Sequence, residues 1–405
     1  MRERTTRIGD IAKVVAGGTP PRGVERYYRG AIPWVKTLDL NNGIVDETEE
    51  TITEEGLRSI RGDVNPPGTV MVAMYGGAGT IGKSGVLRIN AATNQAVASV
   101  LPNPDCFDSE FLHYQLMYLR SEWMQFSQGN RKDPNINKSV VEGMLIWLPK
   151  SVDEQKAIAA RLKAQLAEVG KARLAAQAVK AESDALYRSI YRHAFHRLLP
   201  ITVPPTFVEP PSEWSWVKLD EVARLESGHT PSRDRPDWWG GDVSWLSLTE
   251  IRRLDGKWVE ETELRTNDAG VANSSARILP EGTVCFSRTA SVGFVAIMRK
   301  PMATSQDFAN WICTDRLNPE FLMHALIAAR THVRELATGA THKTIYMPTL
   351  KAFHICMPDR STQNKLVRKI NEQLAAQKVI LNGALKTLSE MDYLPTRILA
   401  KAFEI

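Results

Sequence analysis

Cysteine is scarce and scattered. Cys106, Cys285, Cys313 and Cys356 form no close pair, which excludes the spacing of a thiolate metal site or a dithiol redox motif and fits a reducing cytoplasm. No uninterrupted apolar run approaches the roughly 20 residues that a membrane span needs. Met1–Arg7 is charged and leads into Ile8-Gly-Asp-Ile-Ala12 without an apolar signal core, so export is not expected. Excess charge is also small: a net +5 over 405 residues permits a polyanionic partner without demonstrating one. No Ser/His/Asp or paired-Glu constellation with recognisable spacing is present, and His193, His196 and His324 read as surface or packing residues. With 43% hydrophobic and 24% charged residues the chain has the balance of a soluble globular protein, and its length implies two to three domains.

Against that background stand two long amphipathic stretches, Asp153–Phe195 and Thr362–Phe403. In the first, Ile158, Leu162, Gln165, Val169, Ala172, Ala176, Val179, Ser183, Leu186 and Ile190 fall at alternating steps of four and three. In the second, Leu366, Ile370, Gln373, Gln377, Ile380, Ala384, Thr387, Met391, Leu394 and Ile398 do the same, each 208 residues after its counterpart. That spacing lays the side chains on one helical stripe, the seam along which helices pack. Polar and small residues interrupt both seams. Neither helix would be stable alone, so the two are expected to pack on each other.

The repeat extends beyond the helices. Ile8-Gly-Asp-Ile-Ala12 corresponds to Leu219-Asp-Glu-Val-Ala223, Gly17-Gly-Thr-Pro20 to Gly228-His-Thr-Pro231, and Gly30-Ala-Ile-Pro-Trp34 to Gly241-Asp-Val-Ser-Trp245. Thr93-Asn-Gln95 answers Thr304-Ser-Gln306, and Ile146-Trp-Leu-Pro149 answers Ile355-Cys-Met-Pro358. This is a tandem duplication of a domain plus a long helix, too long in period for a solenoid. Within each copy, short apolar runs bounded by Gly and Pro predict strands at 32–36, 69–74 and 85–89, then at 243–248, 283–287 and 293–298. Helical periodicity covers 111–126 and 321–336, and a polar loop comes after each, at 127–138 and 338–344. Five prolines between Leu199 and Ser212 predict an extended tether. Pro395 predicts a kink in the second long helix, or a short separate last helix.

Two motifs invite catalytic readings. Gly77-Ala-Gly-Thr-Ile-Gly-Lys-Ser84 satisfies the phosphate-loop pattern, but such a loop needs a helix immediately after it, aimed at the nucleotide. The next residues, Gly85–Asn90, read as a strand, and the second copy has Arg288-Thr-Ala-Ser-Val-Gly-Phe294, without the Lys and Ser. A Gly-rich hairpin carrying Lys83 and Arg288 towards a partner is the better account. Asn65-Pro-Pro-Gly68 lacks the aromatic residue with which amino-methyltransferases stack a flipped base, and turn chemistry explains it. The polar loops mix cationic and amide side chains, in Gln128–Lys138 and again in Thr338–Thr344. Arg and Lys suit phosphate or guanine, and Asn and Gln suit the adenine edge.

Taken in order, these residues resemble the specificity (S) subunit of type I restriction–modification systems. The likeness rests on the Leu/Ile-x-Asp/Glu-Ile/Val-Ala starts, the Gly-x-Thr-Pro turns, the Gly…Trp strands, Gln95 and Gln306. It includes the Pro…Gln steps into the long helices, Pro149–Gln155 and Pro358–Gln363, and the Pro211-Ser-Glu-Trp-Ser-Trp216 opening of the second half. The resemblance implies an α+β fold: two tandem mixed α/β target-recognition domains joined by two long helices packed as an antiparallel coiled coil, with a pseudo-twofold relation. Domain limits are then 1–150, a central helix 151–196, a Pro-rich linker 197–212, a second domain 213–358 and a distal helix 359–405. It also implies a non-catalytic chain that reads a split, asymmetric DNA site. Modification subunits would use S-adenosylmethionine, and restriction subunits ATP and Mg²⁺, with no cofactor or metal in this chain. A helix of about 40 residues is roughly 60 Å long, on the scale of one to two turns of duplex.

Phosphate contacts are expected from Lys83, Arg131, Lys132, Lys138, Arg288 and Lys343. Base contacts are expected among Thr37, Asn130, Asn135, Asn137, Ser247, Thr289 and His342, with Lys36, Thr249 and Thr344 beside them. Ile158, Leu162, Val169, Val179, Leu186, Ile190, Leu366, Ile370, Ile380, Met391, Leu394 and Ile398 are expected to pack the helices. The alternatives are a P-loop nucleotide-binding enzyme and a coiled-coil scaffold without a DNA role.

Overall fold

Residues 5–76, 79–126, 135–205, 207–339 and 342–404 are described by the computed structural model. They fall into two units, Met1–Gln177 with Leu385–Ile405, and Ala178–Ala384. Each unit holds one globular domain and a portion of both long helices.

The valine-rich runs of the first domain form a five-stranded sheet in the order Val14–Ala16, Val97–Val100, Val70–Ala73, Ser84–Leu87, Gly43–Val45. Its last pair is parallel and the others antiparallel. A three-stranded sheet, Glu50–Ile52, Tyr28–Val35, Ala92–Thr93, accompanies it. The second domain repeats both sheets: Ala223–Ser227, Phe308–Cys313, Val284–Ser287, Val295–Met298, Lys257–Val259, and Leu264–Thr266, Trp239–Leu246, Ala303–Thr304. The mixed α/β duplication is therefore real, down to strand order. All six predicted strands form. The edge strands beginning at Val14 and Ala223 and the central ones beginning at Val97 and Phe308 escape prediction, because each is short or lacks alternation.

The predicted helices at 111–126 and 321–336 each break midway, into Ser109–Tyr118 with a 3₁₀ stretch Leu119–Phe126 after it, and Pro319–Ala328 with Arg330–Glu335 after it. Both start on a side-chain cap, with Asp108 accepting from the Phe111 amide and Asn318 from those of Glu320 and Phe321. The linker is not merely extended: Ile201–Thr202 joins a small sheet with His354–Met357 and Ser215–Lys218. No helix among the described residues is long and apolar enough to cross a membrane.

The central helix is Val152–Ala194 and the distal helix Arg360–Phe403. Their pairing is antiparallel within each unit. In the first, Arg173 meets Asp392, while Leu162 shares a core with Leu399 and Phe403. In the second, Ser183 meets Gln377, while Ile190 shares a core with Ile370. The packing stripe departs from the expected one. Leu162, Val169 and Ile190 are buried, as are Ile370, Ala176, Ser183, Gln377 and Ala384. Val179, Leu186 and Ile380 are instead 39, 42 and 46% exposed. Further inward positions belong to Gln155, Ala159, Gln363 and Val367, with Ile158 and Leu366 half-buried next to them. Met391, Leu394 and Ile398 are half-buried. Hydropathy favours the larger apolar residue at each step, whereas much of the seam is lined by small and polar ones. Pro395 lies inside the distal helix. No separate last helix forms, because residues on both sides of the proline are anchored, Asp392 by Arg173 and Phe403 against Phe111 at 5.6 Å.

Two buried glutamines seat the helices. Gln155 accepts from the Asp108 amide at 2.9 Å and donates to the Cys106 carbonyl at 3.2 Å. Gln363 accepts from the Asn318 amide at 2.8 Å and donates to the carbonyls of Arg316 and Pro358. Each satisfies groups around the start of the capped helix in its own domain. That explains the repeated Pro…Gln step.

Candidate nucleic-acid interface

The repeated motifs converge on one framework in each domain. Thr19 donates to Gln95, and Thr230 to Gln306, so the Thr of the Gly-x-Thr-Pro turn and the recurrent Gln are partners in both copies. The Trp34 indole donates to the Gly18 carbonyl and that of Trp245 to the His229 carbonyl, both at 3.1 Å. A Cβ on Gly17 would lie 1.7 Å from the Thr93 carbonyl oxygen, and one on Gly228 2.1 Å from Thr304 Oγ1, so only glycine fits. Asn65-Pro-Pro-Gly68 is the turn the sequence implied: Thr69 donates to the Pro66 carbonyl, as Thr283 does to that of Pro280, and Gly68 and Gly282 have φ of 87° and 80°.

In the second domain, the tip of the hairpin between Val284–Ser287 and Val295–Met298 is hydrogen-bonded to the polar loop. The Ala290 amide donates to the Lys343 carbonyl and the Ile345 amide to the Arg288 carbonyl, both at 2.9 Å. Thr338 and Thr344 exchange bonds at 3.0 and 2.8 Å. Arg288, Thr289, His342, Lys343 and Thr344 thus come together on one surface. Part of the Arg288 guanidinium donates to the Gln306 carbonyl at 2.8 Å. Ser247 is buried with its hydroxyl 2.7 Å from that of Thr249, at the start of the helix Leu248–Leu254.

Three arginines that sequence reasoning missed surround Phe294 in this hairpin: Arg252 at 5.7 Å, Arg330 at 5.4 Å and Arg334 at 5.3 Å from the ring centre. Such placement over an aromatic face favours cations. Arg330 is neutralised by both oxygens of Asp255, at 2.7 and 2.8 Å. Arg334 donates to the Val292 carbonyl at 2.8 Å, and burial together with the nearby Arg330 charge pushes its pKa down. These arginines sit on helices rather than in the polar loops, so loop composition could not reveal them.

The first domain is built alike but charged differently. The Ile136 amide donates to the Met74 carbonyl at 2.9 Å, the counterpart of the bond from Ile345 to Arg288. Thr37 lies beside the Gly76 backbone, 3.5 Å from where a Cβ would stand. Lys36, however, is held by Glu49 at 2.8 Å and Glu50 at 2.7 Å. Lys138 is 3.0 Å from Glu142, and the Asn137 side chain caps the helix Lys138–Gly143 by accepting from Val140. Asn135 is half-buried beside Ile136. Asn130, Arg131 and Lys132 lie outside the described residues. Lys83 is half-buried, and Ser84 begins a strand with its hydroxyl 3.1 Å from His113 and its amide on Asn42. A phosphate loop would need that Ser free for a metal and a helix behind it. Neither condition holds.

A family model described as the type I restriction modification DNA specificity domain matches residues 4–176 and 211–387. The chain belongs to that family. The two matches fall on the two copies of the duplication. Among curated members, the type I restriction enzyme MjaIX specificity subunit of Methanocaldococcus jannaschii is 28% identical over 38% of this chain and 37% of its own length. The chain thus spans little more than a third of that relative, and 28% of the HindI specificity subunit of Haemophilus influenzae. The MjaVIII specificity subunit of M. jannaschii is 25% identical over 90% of this chain and 84% of its own length. Solved structures share the fold. The HsdS subunit from Thermoanaerobacter tengcongensis superposes with a TM-score of 0.61 at 17% identity, covering 99% of this chain and 96% of its own. A chain from a structural study of complex assembly and conformational transition in a type I R-M system gives 0.75 at 16% identity, covering 99% and 97%.

Proposed function

We propose that the chain is a DNA sequence-specificity subunit of a type I restriction–modification complex, non-catalytic in itself. Each globular domain reads one part of a bipartite, asymmetric duplex site. Modification subunits dock on the long helices and methylate adenine with S-adenosylmethionine, and restriction subunits with ATP and Mg²⁺ complete the nuclease. The observation that carries this reading is the pairing of an identical framework with unlike loops. The Thr–Gln bond, the Trp–carbonyl bond and the forced glycine recur in both domains, while the side chains they present differ. A duplicated scaffold with divergent readers suits two different half-sites. Exposed apolar side chains such as Leu174 at 68% and Val379 at 72% support docking along the helices.

Co-expression with the cognate modification subunit, then mapping of methylated adenines, tests the reading directly. Methylation should fall at one split motif and vanish without this chain. Lys132→Ala should weaken binding to every duplex and flatten its salt dependence by about one counterion. Saturable ATP binding by the chain, abolished by Lys83→Ala, would overturn the reading in favour of a nucleotide site. Failure to bind DNA in any partner complex would leave a scaffold.

A further inference from the structure

The cations around Phe294 form a site of their own. Arg252, Ser291, Phe294, Arg334 and Lys343 line an open cavity of about 420 Å³. No carboxylate lines it, and Asp255, the acid nearest this cluster in the bonding network, is engaged by Arg330. Arg252, Arg334 and Lys343 have no carboxylate partner among the described residues. Arg252 is steered by the Ser291 hydroxyl at 3.4 Å and Arg334 by the Val292 carbonyl, so both guanidinium groups are pre-oriented. Ala290 adopts a left-handed conformation, φ 54°, and its amide is tied to the Lys343 carbonyl, which fixes the backbone carrying the Lys343 side chain at the rim. Gly293 is required behind them, since a Cβ there would stand 3.1 Å from Arg330 Cγ with φ at 96°.

Three cations on an aromatic wall, with no carboxylate in the cavity lining, describe an anion site. The dimensions admit one phosphate with part of its sugar. We propose that this pocket holds a single backbone phosphodiester of the DNA duplex and anchors the second domain independently of sequence. This rests on the DNA-reading function above and adds to it a specific phosphate-holding site. Arg252 and Arg334 contribute bidentate donors, which suit phosphate oxygens, and Lys343 closes the rim as a point charge. Thr289 of the hairpin and His342 of the polar loop, beside it, are then left to face the bases.

The test uses the full chain and a random-sequence duplex, with affinity measured by fluorescence anisotropy across a salt series. One phosphate accounts for a slope of about 0.9 in log K against log salt. The pair Arg252→Gln with Lys343→Ala should therefore lower the slope by about one and weaken binding at least tenfold at low salt. Arg334 is retained because it supports the hairpin backbone. Lys343→Glu, on an exposed loop, should reproduce the loss without disturbing the core. An unchanged slope in both variants overturns the pocket, and so does a fall of about two, which would mean two separate phosphates. Competition by inorganic phosphate at millimolar concentration, stronger against wild type than against the variants, would reassign the pocket to a free phosphate. If the wild-type chain itself failed to bind duplex DNA at low salt, the DNA-reading function would fall, a result distinct from any of these.

Discussion

The two domains have the same skeleton and pair charge differently at one equivalent corner. Strand register makes the comparison residue by residue: Trp34 pairs with Glu50 in the first, and Trp245 with Leu264 in the second. Two residues after each Trp stand Lys36 and Ser247. Arg22 lies 4.9 Å from Tyr28 and 5.2 Å from Trp34, and Arg233 covers Trp239 and Trp245 at 5.4 and 5.9 Å. In the first domain Glu50 binds both Arg22 and Lys36, and their hydrogen bonds hold its carboxyl below the usual range. In the second, both the acid and the lysine have been replaced, and Arg233 keeps its aromatic platform without a carboxylate in that place. A duplication can thus conserve backbone geometry while reassigning charge in compensating pairs.

The largest expected effect breaks the framework that both domains share. Gly17→Ala and Gly228→Ala drive a Cβ into backbone or side-chain atoms at 1.7 and 2.1 Å, and each should cost about 3 kcal/mol or more. Gly170→Ala, on the central helix with nothing within 4 Å, should instead stabilise by about 1 kcal/mol. Thermal melting separates the three. Equal losses at Gly17 and Gly228 support a common framework, and a tolerated Gly228→Ala would break it.

Acid should also attack both units through buried histidines. Burial lowers the pKa of His113 and of His324 from 6.5 to about 4. His113 contacts Ser84, and His324 lies between Tyr191 and Asn371. A depressed folded pKa means that the unfolded chain binds more protons, so stability is intact above pH 6.5 and falls as pH drops towards 4. Each site can contribute a loss of about 3 kcal/mol by that point. His113→Gln and His324→Gln should each shallow the acid limb of a stability–pH curve by one proton. No change in slope would mean that these histidines are not buried neutral.

Gln155→Leu and Gln363→Leu come next, at about 1–3 kcal/mol each, since each strands a buried amide and carbonyl. Gln363 should cost more, because it serves a third partner, the Pro358 carbonyl. Equal and negligible losses would mean that apolar contact alone seats the long helices.

The seam shows why some of this was legible in sequence and some was not. The period, the length of both helices and their offset are visible because they repeat. The phase is not, because Gln155, Ala159, Gln363 and Val367 face inward while Val179, Leu186 and Ile380 face out. Hydropathy cannot anticipate a glutamine buried for its hydrogen bonds. At the candidate interface, Arg288, Thr289, Lys343 and Thr344 could be gathered from loop composition. Arg252 and Arg334 could not, since their meeting at Phe294 depends on how two helices pack behind a hairpin.

The smallest effect addresses the charge comparison itself. Glu50→Gln preserves shape and leaves an amide oxygen for Arg22 or Lys36, but removes the negative charge between them. If the first domain presents this corner to DNA, affinity for random duplex should rise a few-fold at low salt and the advantage should fade as salt screens it. Leu264→Glu makes the reverse change in the second domain, setting a carboxylate beside Arg233, and should weaken binding by a similar factor. Anisotropy titrations at two salt concentrations read both. Opposite shifts would establish that the duplication exchanged charge at equivalent, DNA-facing corners. A loss with Leu264→Glu and no change with Glu50→Gln would place only the second domain's corner at the phosphates, leaving Glu50 as the structural partner that keeps Lys36 in place.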